Sequence, residues 1–208
     1  MSSSVCTLSG QPLVRPGYAL DWYPEKVDRT EESLTRWFRS LDGRRRRHLL
    51  GYRRFMRTAE TIESTMAGFQ QRDEQTLALA VEHLRDALRD RGLRDDVVIN
   101  GLALAGAFVH RHYGFSLHRE QLFCVWLLLN GVIAEMATGE GKSITAAVSA
   151  VLAALAGMPV HVITTNDYLV ERDAQKMRGL FESFGLSSDF VSPEQDDDAR
   201  REAYAADI

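Results

Sequence analysis

The chain has 208 residues, 45% of them hydrophobic, and a formal net charge of −4. That is apolar material for one or two packed domains, and the charge by itself selects no partner. Cys6 and Cys124 are the only cysteines, far apart and without metal-ligand spacing, which excludes a disulfide framework and fits a reducing compartment. Met1 to Gly10 is a polar Ser/Thr stretch with no apolar signal-peptide core. The most apolar run, Leu122 to Ala134, is broken by Asn130-Gly131 and is too short to span a bilayer, so the chain reads as soluble. Basic charge is almost all arginine: Lys26, Lys142 and Lys176 are the only lysines.

From Met1 to about Val27, Pro12, Pro16 and Pro24 with intervening Ser and Gly predict an irregular extension. Trp22, Tyr23, Trp37 and Phe38 either pack it onto the body or form a partner surface. Arg44, Arg45, Arg46, Arg47 and His48, then Arg53, Arg54 and Arg57, form the densest charge cluster, with Leu49, Leu50, Tyr52, Phe55 and Met56 interleaved. Arginine beside apolar side chains suits anionic lipid or nucleic-acid phosphate. A solvated helix neutralised by acidic partners elsewhere accounts for it equally well. Asp73 can then cap a helix whose Leu77, Val81, Leu84 and Leu88 form a one-faced stripe, with Arg89 and Arg91 in its last turn and Gly92 as its stop. Asp95 opens another helix, with Val98, Leu102, Ala105 and Val109 on one side and Gly114 ending it. These stripes are core faces and carry no chemistry.

The spacing predicts a helix over His118 to Leu129, ended by Asn130-Gly131. Val132, Ile133 and Ala134 follow as a short apolar strand, Thr138 to Gly141 as a Gly-rich turn, and Lys142 onwards as a helix. Strand, glycine turn and helix in that order are the parts of a phosphate-binding loop. Glycines let backbone N–H groups approach phosphate oxygens, and the helix N-terminus adds partial positive charge. Lys142 would reach the β- and γ-phosphates of a nucleotide, and the Ser143 hydroxyl would ligate Mg²⁺. Met136 stands where the strict pattern has glycine, a departure that fits helicase-like loops. An alanine-rich buried helix follows from Ile144 to Leu155, and Val160 to Thr164 is a second strand, completing a right-handed β–α–β unit with parallel strands. Asn166 or Asp167 caps a helix that turns Leu169, Ala174, Met177, Leu180, Phe181 and Phe184 inward and stops at Gly185. Ser188 to Val191 is a candidate third strand and Pro193 to Arg200 an acidic loop.

The run Ala134-Glu135-Met136-x-Thr138-Gly139-Glu140-Gly141-Lys142 resembles the Walker A motif of the SecA family, the motor ATPases of bacterial preprotein translocation. Val160 to Ala174, with its Asn166-Asp167-Tyr168-Leu169 string, is similar to that family's next motif, and Arg201 to Ile208 resembles the segment before its Thr-Tyr-Gly-Thr stretch. The resemblance runs from about Gly114 to Ile208, thins back to about Arg57 and is absent from the opening extension. It implies ATP and Mg²⁺ as ligands, held by Thr138, Gly139, Glu140, Gly141, Lys142 and Ser143, with Ser143 on the metal. It also implies a base-reading site: Gln121 pairing with adenine, and Phe115 and His118 against the base where the family usually has Met and Phe. The Walker B carboxylates, the second nucleotide-binding domain with its arginine finger and the preprotein-binding regions are implied to lie beyond Ile208.

The expectation is an α/β chain: a helical N-terminal region followed by an incomplete RecA-like parallel-sheet domain. The divisions fall at 1–56 (extension with the arginine segment), 57–114 (helical region) and 115–208 (first part of the nucleotide-binding domain). In the intact protein, ATP hydrolysis would be coupled to moving unfolded preproteins through a membrane channel, from the cytoplasmic side of the inner membrane. Anionic lipid would be met through Arg44 to Arg47, Arg53, Arg54 and Arg57. Two alternatives stay open: a superfamily-2 nucleic-acid helicase, which would not be expected to carry the Asn-Asp-Tyr-Leu string, and a nucleotide-binding or membrane-docking module without catalysis.

Overall fold

The computed structural model describes residues 6–8, 11–13 and 51–208, with the backbone alone for 6–8, 11–13 and 52–54. The expectations for Trp22, Tyr23, Trp37, Phe38 and Arg44 to Arg47, and for the side chains of Arg53 and Arg54, lie outside these residues; Arg57 is exposed. Within the stretch expected to be irregular, β1 (Cys6–Leu8) and β2 (Gln11–Leu13) pair antiparallel, Cys6 opposite Leu13 and Thr7 opposite Pro12. Proline has no N–H to give a ladder, so it is compatible only with the outer side of such a pair.

Seven helices follow among the described residues: α1 (Tyr52–Gln70), α2 (Glu74–Arg91), α3 (Asp95–Tyr113), α4 (Arg119–Leu129), α5 (Lys142–Leu155), α6 (Asp167–Ser183) and α7 (Asp197–Ala203). Helix α2 forms as its sequence predicts. The Asp73 carboxylate accepts from the Thr76 N–H at 2.7 Å, Leu77, Val81, Leu84 and Leu88 are all buried, and Gly92 ends it at φ 69°. Helix α1 buries Phe55, Ala59, Ile62 and Met66, again one stripe.

Helix α3 does more than present one face. Every residue from Gly101 to Val109 is buried, because α1, α2, α5 and α6 surround it. A helix apolar all round has to sit inside the fold. Two glycines permit the close approach: a Cβ at Gly101 would come within 2.6 Å of a Leu152 methyl on α5, and one at Gly106 would overlap Met66 on α1. Leu152 is fully buried there, and burying such a side chain is worth about 1.5–3 kcal/mol. Helix α6 docks on α3 through Phe108 and Phe184, whose rings meet edge-on at 5.0 Å, and through His112 Nε2 and Ser183 Oγ at 2.6 Å. The Ser183 hydroxyl gives its one proton to the Gly179 carbonyl, so His112 must be the donor. Arg119 on α4 donates twice to the Glu63 carboxylate on α1, each bond 2.6 Å.

One core therefore runs from Phe55 to Leu186. The sheet does not follow the expectation. No strand is formed among residues 51–208: 132–134, 160–164 and 188–191 are extended chain without a ladder. Their backbone bonds go elsewhere or only begin a pairing. Val132 N–H donates to the Leu127 carbonyl at the end of α4. Val160 N–H donates to the Asp207 carbonyl, while Ile208 donates to Ser187 and accepts from Asp189. Asp207-Ile208 thus lies between the other two segments with a single parallel bridge on one side, too little for a sheet. The acidic stretch expected to be a loop contains α7, capped by the Asp196 carboxylate on the Ala199 N–H at 2.8 Å.

Candidate nucleotide-binding site

The approach to the site is an extended run in which Gly131, Ile133 and Glu135 are exposed and Val132, Ala134 and Met136 half-buried, the period of two that extended chain imposes. Ile133 is left 95% exposed. Thr138 and Gly139 then make a turn, and Gly139 and Gly141 both adopt left-handed backbone, φ 88° and 85°. A side chain is strained in that region. The two glycines differ in surroundings. A Cβ on Gly139 would meet nothing within 4 Å, so the loop is open there; one on Gly141 would overlap the Gln121 amide.

Helix α5 starts at Lys142, directly behind the loop. Its first turn has no preceding carbonyls to bond, and among the described residues the N–H groups of Gly141, Lys142 and Ser143 have no protein acceptor. Unbonded donors at a helix N-terminus and the positive end of the helix dipole both favour an anion there. Lys142 is exposed, with no ion pair among the described residues. The start of the helix is fixed from within: buried Thr145 returns its hydroxyl to the Gly141 carbonyl at 3.0 Å. Glu140 folds back, its carboxylate accepting from the Ala137 N–H at 2.9 Å, which braces the turn.

Gln121 is one of two buried polar residues among those described. Its Oε1 accepts from the His118 N–H at 2.9 Å, and its Nε2 donates to the Glu140 carbonyl at 2.9 Å. The first bond is one half of a capping box at the start of α4. The second clamps the loop. An amide has two N–H donors and two acceptor lone pairs, so one of each remains, the complement that adenine's N6–H and N7 require. Of the three residues expected at the base, only Gln121 is joined to the loop. His118 is exposed at the α4 N-cap, and Phe115, 43% exposed, stacks on Tyr113 at 5.9 Å.

Reading the sequence missed Asp173. The Ser143 hydroxyl donates to Asp173 Oδ2 at 2.8 Å, while Arg172 holds Oδ1 at 2.6 and 2.9 Å. Thirty positions separate the pair, and no spacing rule marks it; only the return of the chain through α6 brings it to the first turn of α5. Cys124 is free, its thiol pushed up by burial and by the charges of Glu140 and Glu120, so it is a neutral packing residue at ordinary pH. No cluster of three or more His, Cys, Asp or Glu residues able to hold a metal by themselves occurs among the described residues. A separate cleft of about 360 Å³ lies between residues 160–164, 188–191 and the Ala203–Ile208 end, touching Ser143 and Asp173 but not residues 138–142.

Comparison with known proteins gives the family. The chain is 39% identical to the protein translocase subunit SecA 2 of Nitrosospira multiformis over 188 residues, 89% of this chain and 28% of that protein. It is 39% identical to the SecA 2 subunit of Bordetella avium over 191 residues, again 89% and 28%. The protein translocase subunit SecA of a Wolbachia species from Brugia malayi is 34% identical over 154 residues, 74% of this chain and 18% of that protein. The chain thus spans about a quarter of the length of the SecA 2 relatives. A family profile, the SecA DEAD-like domain, matches residues 38–208, which takes in all seven helices and the glycine loop. By that match, the chain belongs to the SecA DEAD-like domain family.

Proposed function

We propose that this chain is the ATP-binding part of a motor that couples ATP hydrolysis to the translocation of unfolded preproteins across a membrane. The observation that carries the nucleotide half is the open glycine loop at the α5 N-terminus, held from behind by the buried Gln121 amide. In this reading the N–H groups of Gly139, Gly141, Lys142 and Ser143 cradle the phosphates, and the Lys142 ammonium faces the terminal ones. Thr138 and Glu140 shape the turn. Gln121 reads adenine with its remaining donor and acceptor, and Phe115 and His118 flank the base.

The cation corner suits Mg²⁺: the Ser143 hydroxyl is a hard oxygen donor at the edge of a phosphate-binding loop, with the Asp173 carboxylate beside it. Ser143 would hold the ion. When bound, Mg²⁺ would neutralise charge developing on the terminal phosphates. This chain's own part is to bind and orient. Turnover needs a water-positioning carboxylate and an arginine finger, the latter worth roughly 10³–10⁵ in rate, and this reading assigns both to the longer protein. On its own the chain is therefore expected to bind Mg·ATP weakly and to hydrolyse it negligibly. The RecA-like parallel sheet is part of the same reading, with 132–134, 160–164 and 188–191 as its strands.

The translocation half rests on the family and on relatives named as protein translocase subunits. No helix among the described residues is long and apolar enough to cross a membrane, which suits a motor working peripherally at the cytoplasmic side of a translocation channel. The arginine segment, with Arg57 exposed on α1, would meet anionic lipid there. The test is stimulation of ATP hydrolysis by the full-length protein. Unfolded preprotein with channel-containing vesicles should raise the rate severalfold, and single-stranded nucleic acid should not. Stimulation by nucleic acid alone would move the assignment to a helicase.

A further inference from the structure

Ser143 and Asp173 supply something that the loop by itself does not. A serine hydroxyl rotates freely unless something takes its proton, and a free rotor is a poor cation ligand because its lone pairs have no fixed direction. Here the proton is taken: Ser143 Oγ donates to Asp173 Oδ2 at 2.8 Å. The other carboxylate oxygen is gripped by the Arg172 guanidinium through two bonds of 2.6 and 2.9 Å. That leaves Oδ2 for the serine and fixes the plane of the carboxylate, whose side chain is 28% exposed. With its single proton committed to Asp173, Ser143 has both lone pairs left for other partners.

We infer that Asp173 is the positioning residue for the cation at this site: it holds the Ser143 hydroxyl proton so that the oxygen is presented to a divalent ion carried in with a nucleoside triphosphate, with Arg172 locking Asp173 in that pose. The inference rests on the nucleotide-binding reading above and assigns a role to a residue outside the glycine loop. Outer partners of this kind orient metal ligands, and their loss costs about 10- to 100-fold in metal affinity. Asp173 acts through Ser143 and does not itself touch the phosphates. Its effect therefore belongs to the metal-dependent part of binding only.

The experiment is calorimetric titration of the chain with ATP, once with excess Mg²⁺ and once with chelator. Mn²⁺ paramagnetic resonance reports ion affinity in parallel. Asp173→Asn, Ser143→Ala, the double variant and Lys142→Ala are compared with wild type. Asp173→Asn should weaken Mg·ATP and Mn²⁺ binding about tenfold and leave metal-free ATP binding within about twofold. In the Ser143→Ala background it should add no further loss. Arg172→Gln, at the outer edge of the network, should give a smaller loss of the same kind, and serves if Asp173→Asn folds poorly. Equal losses with and without metal, no loss at all, or a full additional loss in the Ser143→Ala background would each overturn the role. If Lys142→Ala leaves ATP binding unchanged in both buffers, the loop itself is misassigned and the role of Asp173 falls with it. Binding sensitive to Lys142 with a metal dependence indifferent to Asp173 overturns this inference alone.

Discussion

The Gln121 amide donates to the carbonyl of Glu140 at 2.9 Å, a bond across nineteen positions that ties the first turn of α4 to the loop in front of α5. The same side chain caps its own helix through the His118 N–H. Shortening it removes both bonds and leaves the Glu140 carbonyl without that partner. Gln121→Ala should lower ATP affinity at least about fivefold, the worth of roughly one net hydrogen bond. It should also narrow the preference for ATP over GTP, since the base would lose its reader. Displacement of a fluorescent nucleotide by ATP and by GTP measures both. A large loss with the preference intact would leave Gln121 as a loop clamp only.

Gly141 is constrained twice. Its backbone is left-handed at φ 85°, and any Cβ would run into the Gln121 amide, which is pinned at both ends. Left-handed backbone costs a non-glycine residue about 1–2 kcal/mol before the clash is counted. Gly141→Ala should therefore lower ATP affinity about tenfold or more, while the far-UV helix signal is retained. Gly139→Ala, with open space at its Cβ, should be milder in stability but still impair binding. Calorimetry and circular dichroism on the two variants test this.

Acid should loosen the packing of α4 on α1. The hydrogen bonds from Arg119 hold the Glu63 carboxyl below its ordinary value of 4.5, a pull strengthened by the guanidinium charge and partly offset by burial. Asp73 is likewise held below 3.8, chiefly by the Thr76 N–H. A carboxyl depressed in the fold stabilises it above the unfolded value, and that contribution is lost as pH falls through the folded value. Glu63→Gln should lower the thermal midpoint by a degree or so at pH 7, since a pair this exposed is worth at most about 1 kcal/mol. The gap from wild type should narrow as the pH falls below the ordinary carboxyl value of 4.5 and close once the Glu63 carboxyl is protonated in the folded chain as well. A gap that persists in acid would mean that the pair acts through packing, not charge.

Ile133 and Ile163 are 95% and 91% exposed, and each lies in extended chain whose backbone is not paired along its length. Extended apolar edges template pairing with another chain. The isolated chain should self-associate at high concentration, and Ile133→Lys with Ile163→Lys should restore monomer without lowering stability. Light scattering across a concentration series decides it; a monodisperse wild type contradicts the expectation.

The helices were legible because their signals are local. The Leu77 to Leu88 stripe, the Asp73 cap, and glycine stops at 92, 114, 131 and 185 each needed only neighbouring residues, and all appear as read. The open choice at α6 resolves to Asn166, whose side chain accepts from the Leu169 N–H at 2.9 Å. Helix α7 was missed because Ala203 is its one buried residue, so no apolar period announced it, although Asp197 and Asp198 at its start and Arg200 and Arg201 at its end match a helix dipole. The sheet is another matter: apolar extended segments become strands only with neighbours in register, and 132–134, 160–164 and 188–191 form no ladder among the described residues. The glycine loop could be read from its string, whereas the second bond of Gln121 and the whole role of Asp173 depend on how α4 and α6 return to it.

Calorimetric titration of Mg·ATP into the wild-type chain and into Lys142→Ala decides whether residues 138–143 bind the phosphates of ATP. The variant removes one charge from an exposed position and should fold as wild type does. Saturable binding to wild type, reduced at least about tenfold in the variant, is predicted, since a charge-assisted bond to phosphate is worth about 1.5–3 kcal/mol. Equal binding by the two chains, or none by wild type at millimolar nucleotide, would show that this loop does not hold the phosphates.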